Sequence, residues 1–397
     1  MSLEALAPVA GVRIGTSNAG IKQRHRDDLA IFVLDEGVTV AGVFTQSAFR
    51  APPVVLAEQR LGDARALIIN SGNANAATGE AGMADARAVC DAVSEQVLEL
   101  SAETVLPFST GVIGERLPVQ AMREGTLVAS QRLREDAWAD AAHAIMTTDT
   151  VPKGVSRTVS IGGDVVQITG IAKGSGMIKP NMATMLAFMA VDAAVPQPAL
   201  QAMIERATEV SFNRVTVDGD TSTNDAFVLM ATGAGPLQVA EGSPELDALE
   251  AAVTDAAQVL ARAIARDGEG ASKFVTVRVK GGRTSADCLE VAYTIAESPL
   301  VKTAIFAGDP NWGRFCMAIG RANAEVDPDR VSLYLGEVCI AERGMVAPGY
   351  REEEAAAVMA EDELTVLVDL GLGDADEWVW TCDLSYDYVK INAEYRT

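Results

Sequence analysis

Apolar residues gather along this chain into short unbroken runs in some stretches and into helical stripes in others. Leu29 to Leu34, then Asp35-Glu36-Gly37, then Val38 to Phe44 reads as two strands joined by a short turn, the pattern of a β-hairpin. Further strands are predicted at Ala66 to Ile69, Asp164 to Ile171, Met185 to Val191, Ala226 to Met230, Phe274 to Val279, Val331 to Leu335 and Leu364 to Val368. The continuously apolar Met185 to Val191 marks a buried strand. Helical periodicity covers residues 80–98, 118–147 with a break, 198–210 and 244–266. In the last of these Leu246, Leu249, Val253, Ala257, Leu260 and Ile264 share one face, with Ser243-Pro244 as a start signal and Gly268 just past the end. Strands and helices mix without strict βαβ alternation, which predicts an α+β fold with sheets covered by helices. The Gly-, Lys- and Ser-rich stretch from Lys153 to Asn181 reads as a specialised connection.

Composition narrows the function classes. The 397 residues, 49% hydrophobic, suffice for two domains or one large unit. With 32 Lys plus Arg against 55 Asp plus Glu, the net charge of −23 repels nucleic acid and anionic membranes. Any lysine beside a site for an acidic substrate therefore carries unusual weight. Five scattered cysteines without CxxC spacing read as buried, reduced thiols. The start of the chain has no basic n-region followed by an apolar core, and no window reaches the roughly 18 apolar residues of a membrane span. These features predict a cytoplasmic protein. Of only two histidines, His25 lies in a charged run and His143 in a helical pattern, so the chemistry is expected to dispense with histidine.

The stretch Lys173-Gly174-Ser175-Gly176-Met177-Ile178-Lys179-Pro180-Asn181-Met182-Ala183-Thr184-Met185-Leu186 carries that chemistry. Its glycines and proline disfavour a helix and let the backbone approach a reacting group. Thr184 stands where this loop meets the apolar strand, a place that suits a nucleophile able to cut its own peptide bond. Attack of its hydroxyl on the Ala183 carbonyl gives an ester by N-to-O acyl shift, and hydrolysis leaves Thr184 as a new N-terminus. The freed α-amine, with an unperturbed pKa of about 7.7 to 8.0, then serves as base for its own hydroxyl. On spacing alone, a threonine here reads as a strand starter or a turn cap.

The string KGSGMIKPNMATML resembles the self-cleavage region of the glutamate N-acetyltransferase / ornithine acetyltransferase family of arginine biosynthesis. The resemblance runs along nearly the whole chain through AGVFTQSAFRAPPV, LIINSGNANAATG, FSTGVIGERLP, TTDTVPK, VDGDTSTNDAF, DGEGASKF, AGDPNWGRFCMAIGRA and YVKINAEYRT. It implies a sandwich of sheets and helices similar to that of self-cleaving aminopeptidases. It also implies cleavage between Ala183 and Thr184 into an α chain, residues 1–183, and a β chain, residues 184–397, paired as α2β2. Thr184 is the implied nucleophile, with Thr110 and Gly111 as oxyanion hole. Thr147, with Thr148 as the one-residue alternative, Lys173, Thr184, Glu269, Asn392 and Thr397 are the implied substrate contacts.

The implied reaction is ping-pong transfer of acetyl from N2-acetylornithine to glutamate through an acetyl-Thr184 ester, without a cofactor, with acetyl-coenzyme A as a further donor in some relatives. One rival is an aminopeptidase of similar fold, and another is a catalytically silent scaffold. Asp218, Asp220 and Asp225 invite a cation reading, but their spacing fails the calcium-loop pattern and no metal is expected. Asn73, Asn75, Asn311 and Trp312 are expected to shape loops, and Arg314 is a candidate anion contact.

Overall fold

The computed structural model describes residues 3, 6–21, 26–97, 100–179 and 185–394. The chain divides into two compact units, residues 1–213 with 220–264, and residues 214–219 with 265–397.

Unbroken apolar strands need cover on both faces, and the first unit supplies it with two sheets. One contains β1 (Val12–Ser17), β2 (Leu29–Leu34), β4 (Ala66–Asn73) and β5 (Val105–Val112) in that spatial order. The other runs β3 (Thr39–Phe44), β9 (Ala226–Ala231), β8 (Leu186–Val191), β7 (Asp164–Lys173), β6 (Lys153–Ile161). Alternate residues of β2 and β8, Ala30, Phe32 and Leu34 with Leu186, Phe188 and Ala190, join one core between the sheets. The Phe188 ring lies 5.7 Å from Phe32 and 5.1 Å from Phe108, and Phe32 lies 5.6 Å from Trp138. Trp138 opens α4 (Trp138–Ala144), which shares this core with α1 (Pro52–Arg60).

The opposite face of the first sheet, Leu29, Ile31, Ala66 and Ile68, packs on α2 (Gly79–Gln96) and α3 (Val119–Ser130) through Val89, Cys90, Val93 and Met122. The second sheet is covered by α5 (Gln197–Glu209), which contacts β3 and β9. The long helix α6 (Pro244–Arg266) buries the six residues assigned to its apolar face and brings Leu260 against Gly170 of β7. The result is the expected α+β sandwich of sheets covered by helices.

Two expectations fail here. β2 and β3 form no hairpin: β2 pairs with β1 and β4, whereas β3 pairs antiparallel with β9, so Asp35-Glu36-Gly37 is a corner between two sheets. β2 is buried throughout and β3 is buried except at the half-buried Thr39 and Val43, and nothing in their apolar pattern ties them to a shared face. Nor is the stretch from Lys153 to Asn181 one connection. Its first part is the antiparallel pair β6 and β7 turning at Gly162 (φ +61°) and Gly163 (φ +96°), which leaves the irregular segment to begin at Gly174.

The second unit holds one sheet, ordered β13 (Met345–Val346), β12 (Val338–Glu342), β11 (Ser332–Leu335), β14 (Glu363–Asp369), β10 (Phe274–Gly282), β15 (Ala375–Cys382). Val275, Val277, Val279, Val366 and Val368 form a core with α7 (Ser285–Ala296), α9 (Trp312–Gly320) and α10 (Glu352–Met359). The alternate residues of β10 include Arg278 and Lys280, paired with Asp376 and Asp369. α8 (Pro299–Ala307) and α11 (Tyr386–Ala393) complete the unit. Among the described residues, no helix is long and apolar enough to cross a membrane.

Cys90, Cys288 and Cys382 are buried as expected, but Cys316 and Cys339 are only partly so, and all five are free thiols. Burial pushes the Cys90 thiol up to about 12.

Candidate active site

β7 and β8 pair antiparallel with Lys173 opposite Leu186, so the segment of residues 174–185 starts and ends at one edge of the sheet. Lys173 itself is buried, with 2% of its surface exposed, and its Nζ lies 3.3 Å from Thr110 Oγ1. An ammonium only donates, so Thr110 accepts this bond and keeps its own proton free to donate elsewhere. That is the polarity a developing oxyanion requires.

Thr110 and Gly111 sit near the end of β5, beside β4. Gly111 has φ +135°, and a Cβ there would come within 2.2 Å of the Gly72 carbonyl carbon. Glycine is therefore demanded by both dihedral and space. The segment Ser109-Thr110-Gly111 is a kinked strand end.

Thr147 is buried and adjoins a carboxylate that the motif reading passed over. Asp149 accepts from the Thr147 N–H (2.9 Å), the Gly174 N–H (2.7 Å) and Lys153 Nζ (2.7 Å). Burial pushes its carboxyl up, but the charges of Lys153 and Lys173 together with these hydrogen bonds outweigh it and hold the group well below the usual carboxylate range. The Asp149–Lys153 pair is essentially sealed from solvent, with side-chain exposures of 0% and 1%. One carboxylate thus binds the loop carrying Thr147 to the residue that follows Lys173.

The residues just before β9 supply one more missed residue, Asn224, and a different role for Asp225, weighed above only as a cation ligand. Asn224 Nδ2 donates to the Ala74 carbonyl at 2.7 Å and to the Ser109 carbonyl at 2.9 Å, the latter part of the peptide bond to Thr110. Asp225 Oδ1 accepts from the Met185 N–H at 2.9 Å. The string VDGDTSTNDAF contained both residues, yet only their reach across the sheets separates them from the loop around them. Asp225 is a buried anchor of β8, and Asp218 accepts from the Tyr388 hydroxyl at 3.3 Å.

In the second unit Glu269 occupies the turn after α6 and is 7% exposed. It is more buried than a residue projecting from a free turn. Gly270 (φ +68°) follows, and Ser385 Oγ donates to its carbonyl at 2.6 Å, seating the start of α11 on this turn. Asn392, near the end of α11, donates from Nδ2 to Glu269 Oε2 at 2.8 Å. Two implied substrate contacts are therefore brought together. Ala183, Thr184, Thr397 and His25 lie outside the described residues.

The other loop expectations resolve into local structure. Asn73 accepts the Asn75 N–H and donates to the Arg116 carbonyl, and Asn75 adopts φ +48°. Asn311 caps α9 by accepting the Arg314 N–H, while Trp312 packs on the core. Arg314 Nη1 donates to the Leu300 carbonyl at 2.8 Å, which uses part of its fork to join α9 to α8. His143 is exposed on α4 with Nδ1 against the Ala139 carbonyl.

A hydroxyl, a kinked glycine and a buried lysine in the field of a carboxylate are equipment suited to acyl transfer. Residues 13–397 match the profile of the ArgJ family. The chain is 52% identical over 399 residues to the arginine biosynthesis bifunctional protein ArgJ of Pseudomonas syringae pv. tomato (strain ATCC BAA-871 / DC3000), covering 100% of this chain and 98% of that one. Among solved structures, the arginine biosynthesis bifunctional protein argJ of Bacillus halodurans is 40% identical, with 51% of this chain and 95% of that chain covered at a TM-score of 0.49. The ornithine acetyltransferase of Mycobacterium tuberculosis, solved with ornithine, is 38% identical, with 45% and 96% covered at a TM-score of 0.39. The chain belongs to the ArgJ family and is an acyltransferase.

Proposed function

We propose that this acyltransferase moves the acetyl group of N2-acetylornithine to glutamate through an acetyl ester on Thr184, in a ping-pong sequence without a cofactor. Acetyl-coenzyme A is a second candidate donor. Cleavage between Ala183 and Thr184 frees the nucleophile's amine and yields chains 1–183 and 184–397, held together in the cytoplasm as an α2β2 assembly. Thr184 attacks the acetyl carbonyl, and donors at Thr110 and Gly111 receive the negative oxygen, each such donor being worth about 3 kcal/mol. Ornithine leaves with the proton, glutamate's α-amine attacks the ester, and one amide has replaced another.

The observation that carries this reading is the buried contact between Lys173 and Thr110. It supports reading Lys173 as a cation for a substrate α-carboxylate beside the implied oxyanion donor, on the strand that leads into the loop to Thr184. Thr147, Glu269, Asn392 and Thr397 complete the proposed substrate contacts. Glu269 suits the ornithine side-chain ammonium.

The test is the Thr184→Ala chain alongside wild type. Wild type is expected to run as two bands on a denaturing gel and to make acetylglutamate from acetylornithine. The variant is expected to stay a single 397-residue chain without transfer. Transfer by Thr184→Ala near the wild-type level refutes the nucleophile. Wild-type hydrolysis of acetylornithine that glutamate fails to stimulate favours the aminopeptidase rival. Parallel assays with acetyl-coenzyme A decide the donor.

A further inference from the structure

Buried polar side chains are unfavourable unless fully bonded, and once bonded they fix direction more strictly than apolar packing does. The ends of β4 and β5 hold a cluster of them: Asn70, Asn73, Ser109, Thr110 and, reaching in from just before β9, Asn224 are all buried. Asn224 is the member that crosses from the sheet of β9 to the sheet of β4 and β5. Its amide is fully engaged. Nδ2 gives both protons to carbonyls, Ala74 at 2.7 Å and Ser109 at 2.9 Å, and Oδ1 accepts the Thr223 hydroxyl at 2.6 Å. Exchanging oxygen and nitrogen would set three acceptors together, so the amide has one orientation.

These bonds fall where the backbone ladder needs help. β4 and β5 pair in parallel register from Ala66–Val105 to Gly72–Gly111, and the register then shifts at Asn73. Pairing thus becomes irregular beside the implied oxyanion donors. Asn224 fastens the chain there at two points, the residue after Asn73 and the residue before Thr110. Ser109 is held a second time, its Oγ donating to Asn70 Oδ1 at 2.6 Å. Thr110 is therefore confined between a residue bonded at side chain and carbonyl and a glycine pressed on Gly72.

We propose that Asn224 is a positioning residue for acyl transfer: by holding the Ser109 carbonyl it fixes the direction in which Thr110 meets the developing oxyanion. This rests on the reading of Thr110 as an oxyanion donor. Hydrogen bonds weaken steeply as their angle closes, so a small rotation of the peptide before Thr110 takes strength from that donor. The loss falls on the transition state, where the oxygen carries its charge, and not on substrate binding.

Asn224→Leu, near in volume but without donors, is compared with Thr110→Ala and with the double variant. Asn224→Leu is expected to lower kcat for transfer at least tenfold, and by no more than the roughly 100- to 1,000-fold that a lost donor costs, with KM for acetylornithine and glutamate within about twofold. Added to Thr110→Ala, it is expected to change kcat by less than about twofold, because the group it orients is already gone. Factors that multiply would make Asn224 an independent structural support and overturn the proposal. A wild-type kcat in folded Asn224→Leu, or a rise in KM alone, overturns it too.

Should thermal unfolding show that Asn224→Leu has not folded, Asn224→Ala is read in its place by the same criteria, since it leaves room for a water that satisfies both carbonyls without fixing their direction. Cleavage is followed on a denaturing gel. A folded but uncut Asn224 variant beside a cut Thr110→Ala overturns the proposal, and an uncut state shared by both supports it. Thr110→Ala that is cut and transfers acetyl like wild type removes the oxyanion reading itself, whereas an impaired Thr110→Ala beside an unimpaired Asn224→Leu removes only the role of Asn224.

Discussion

The two units bury their strands differently, and the contrast explains where chemistry can be placed. In the first unit β2, β8 and β9 are buried along their whole length, because each lies between a second sheet on one side and helices on the other. In the second, β14 alternates buried and open positions, and the alternate residues of β10 carry ion pairs. A doubly covered sheet gives its edge loops a dry, rigid base, so Lys173, Asp149 and Asp225 can be desolvated and fixed there. A singly covered sheet offers a turn and a terminal helix, and Glu269 meets Asn392 across them.

Matched truncations test this contrast most severely. Phe188→Ala and Phe315→Ala each remove a fully buried ring. Phe188 stands between two sheets that cannot close over the hole, and about 4 to 5 kcal/mol is expected by denaturant titration, whereas the helix carrying Phe315 can settle and about 3 is expected. Equal costs would show that layer number does not govern relaxation.

A middle-sized effect concerns the site. Lys173→Ala is expected to raise KM for amino-acid substrates at least tenfold while the precursor is still cleaved, since burial strengthens the charge on which a carboxylate would dock. Glu269→Gln, in the less enclosed setting, is expected to raise KM for acetylornithine by a smaller factor and to leave KM for glutamate nearly unchanged. Equal loss of cleavage and transfer in Lys173→Ala moves that residue to the processing step.

The smallest effect belongs to Arg278. Its pairing with Asp376 joins half-exposed side chains, so Arg278→Ala is expected to cost less than 1 kcal/mol in the same titration. A larger loss would mean that this face is drier than its charges suggest.

Element identity was far more legible in the sequence than pairing. The apolar stripe of residues 244–266 placed α6 to the residue, because a long amphipathic helix repeats its signal six times over. β2 and β3 were equally clear as strands, yet β3 finds its partner in β9, some 180 positions away, and no local pattern encodes that choice. α8 and α9 escaped because nine residues hold too little periodicity. Their punctuation was visible all the same: Ser298 before Pro299, left-handed Gly308 (φ +69°), and Asn311 as the next cap. Within the candidate site, Thr110, Gly111, Thr147 and Lys173 were named from motif strings carried by the family resemblance. Asp149 and Asp225 act through backbone N–H groups and neighbouring charges, and Asn224 through two backbone carbonyls, partners that have no signature until the chain is folded.

The second sheet fixes the order of events that the proposed cleavage would require: folding first, cutting afterwards. β8 and β9, both beyond position 184, lie wedged between β3 on one side and β7 and β6 on the other, all three from before position 183. Neither half owns all five strands of this sheet, so separately synthesised halves would each present bare hydrogen-bonding edges there. A single reading frame delivers both in equal number and already interleaved, so under the proposed cleavage the uncut polypeptide would be its own assembly chaperone.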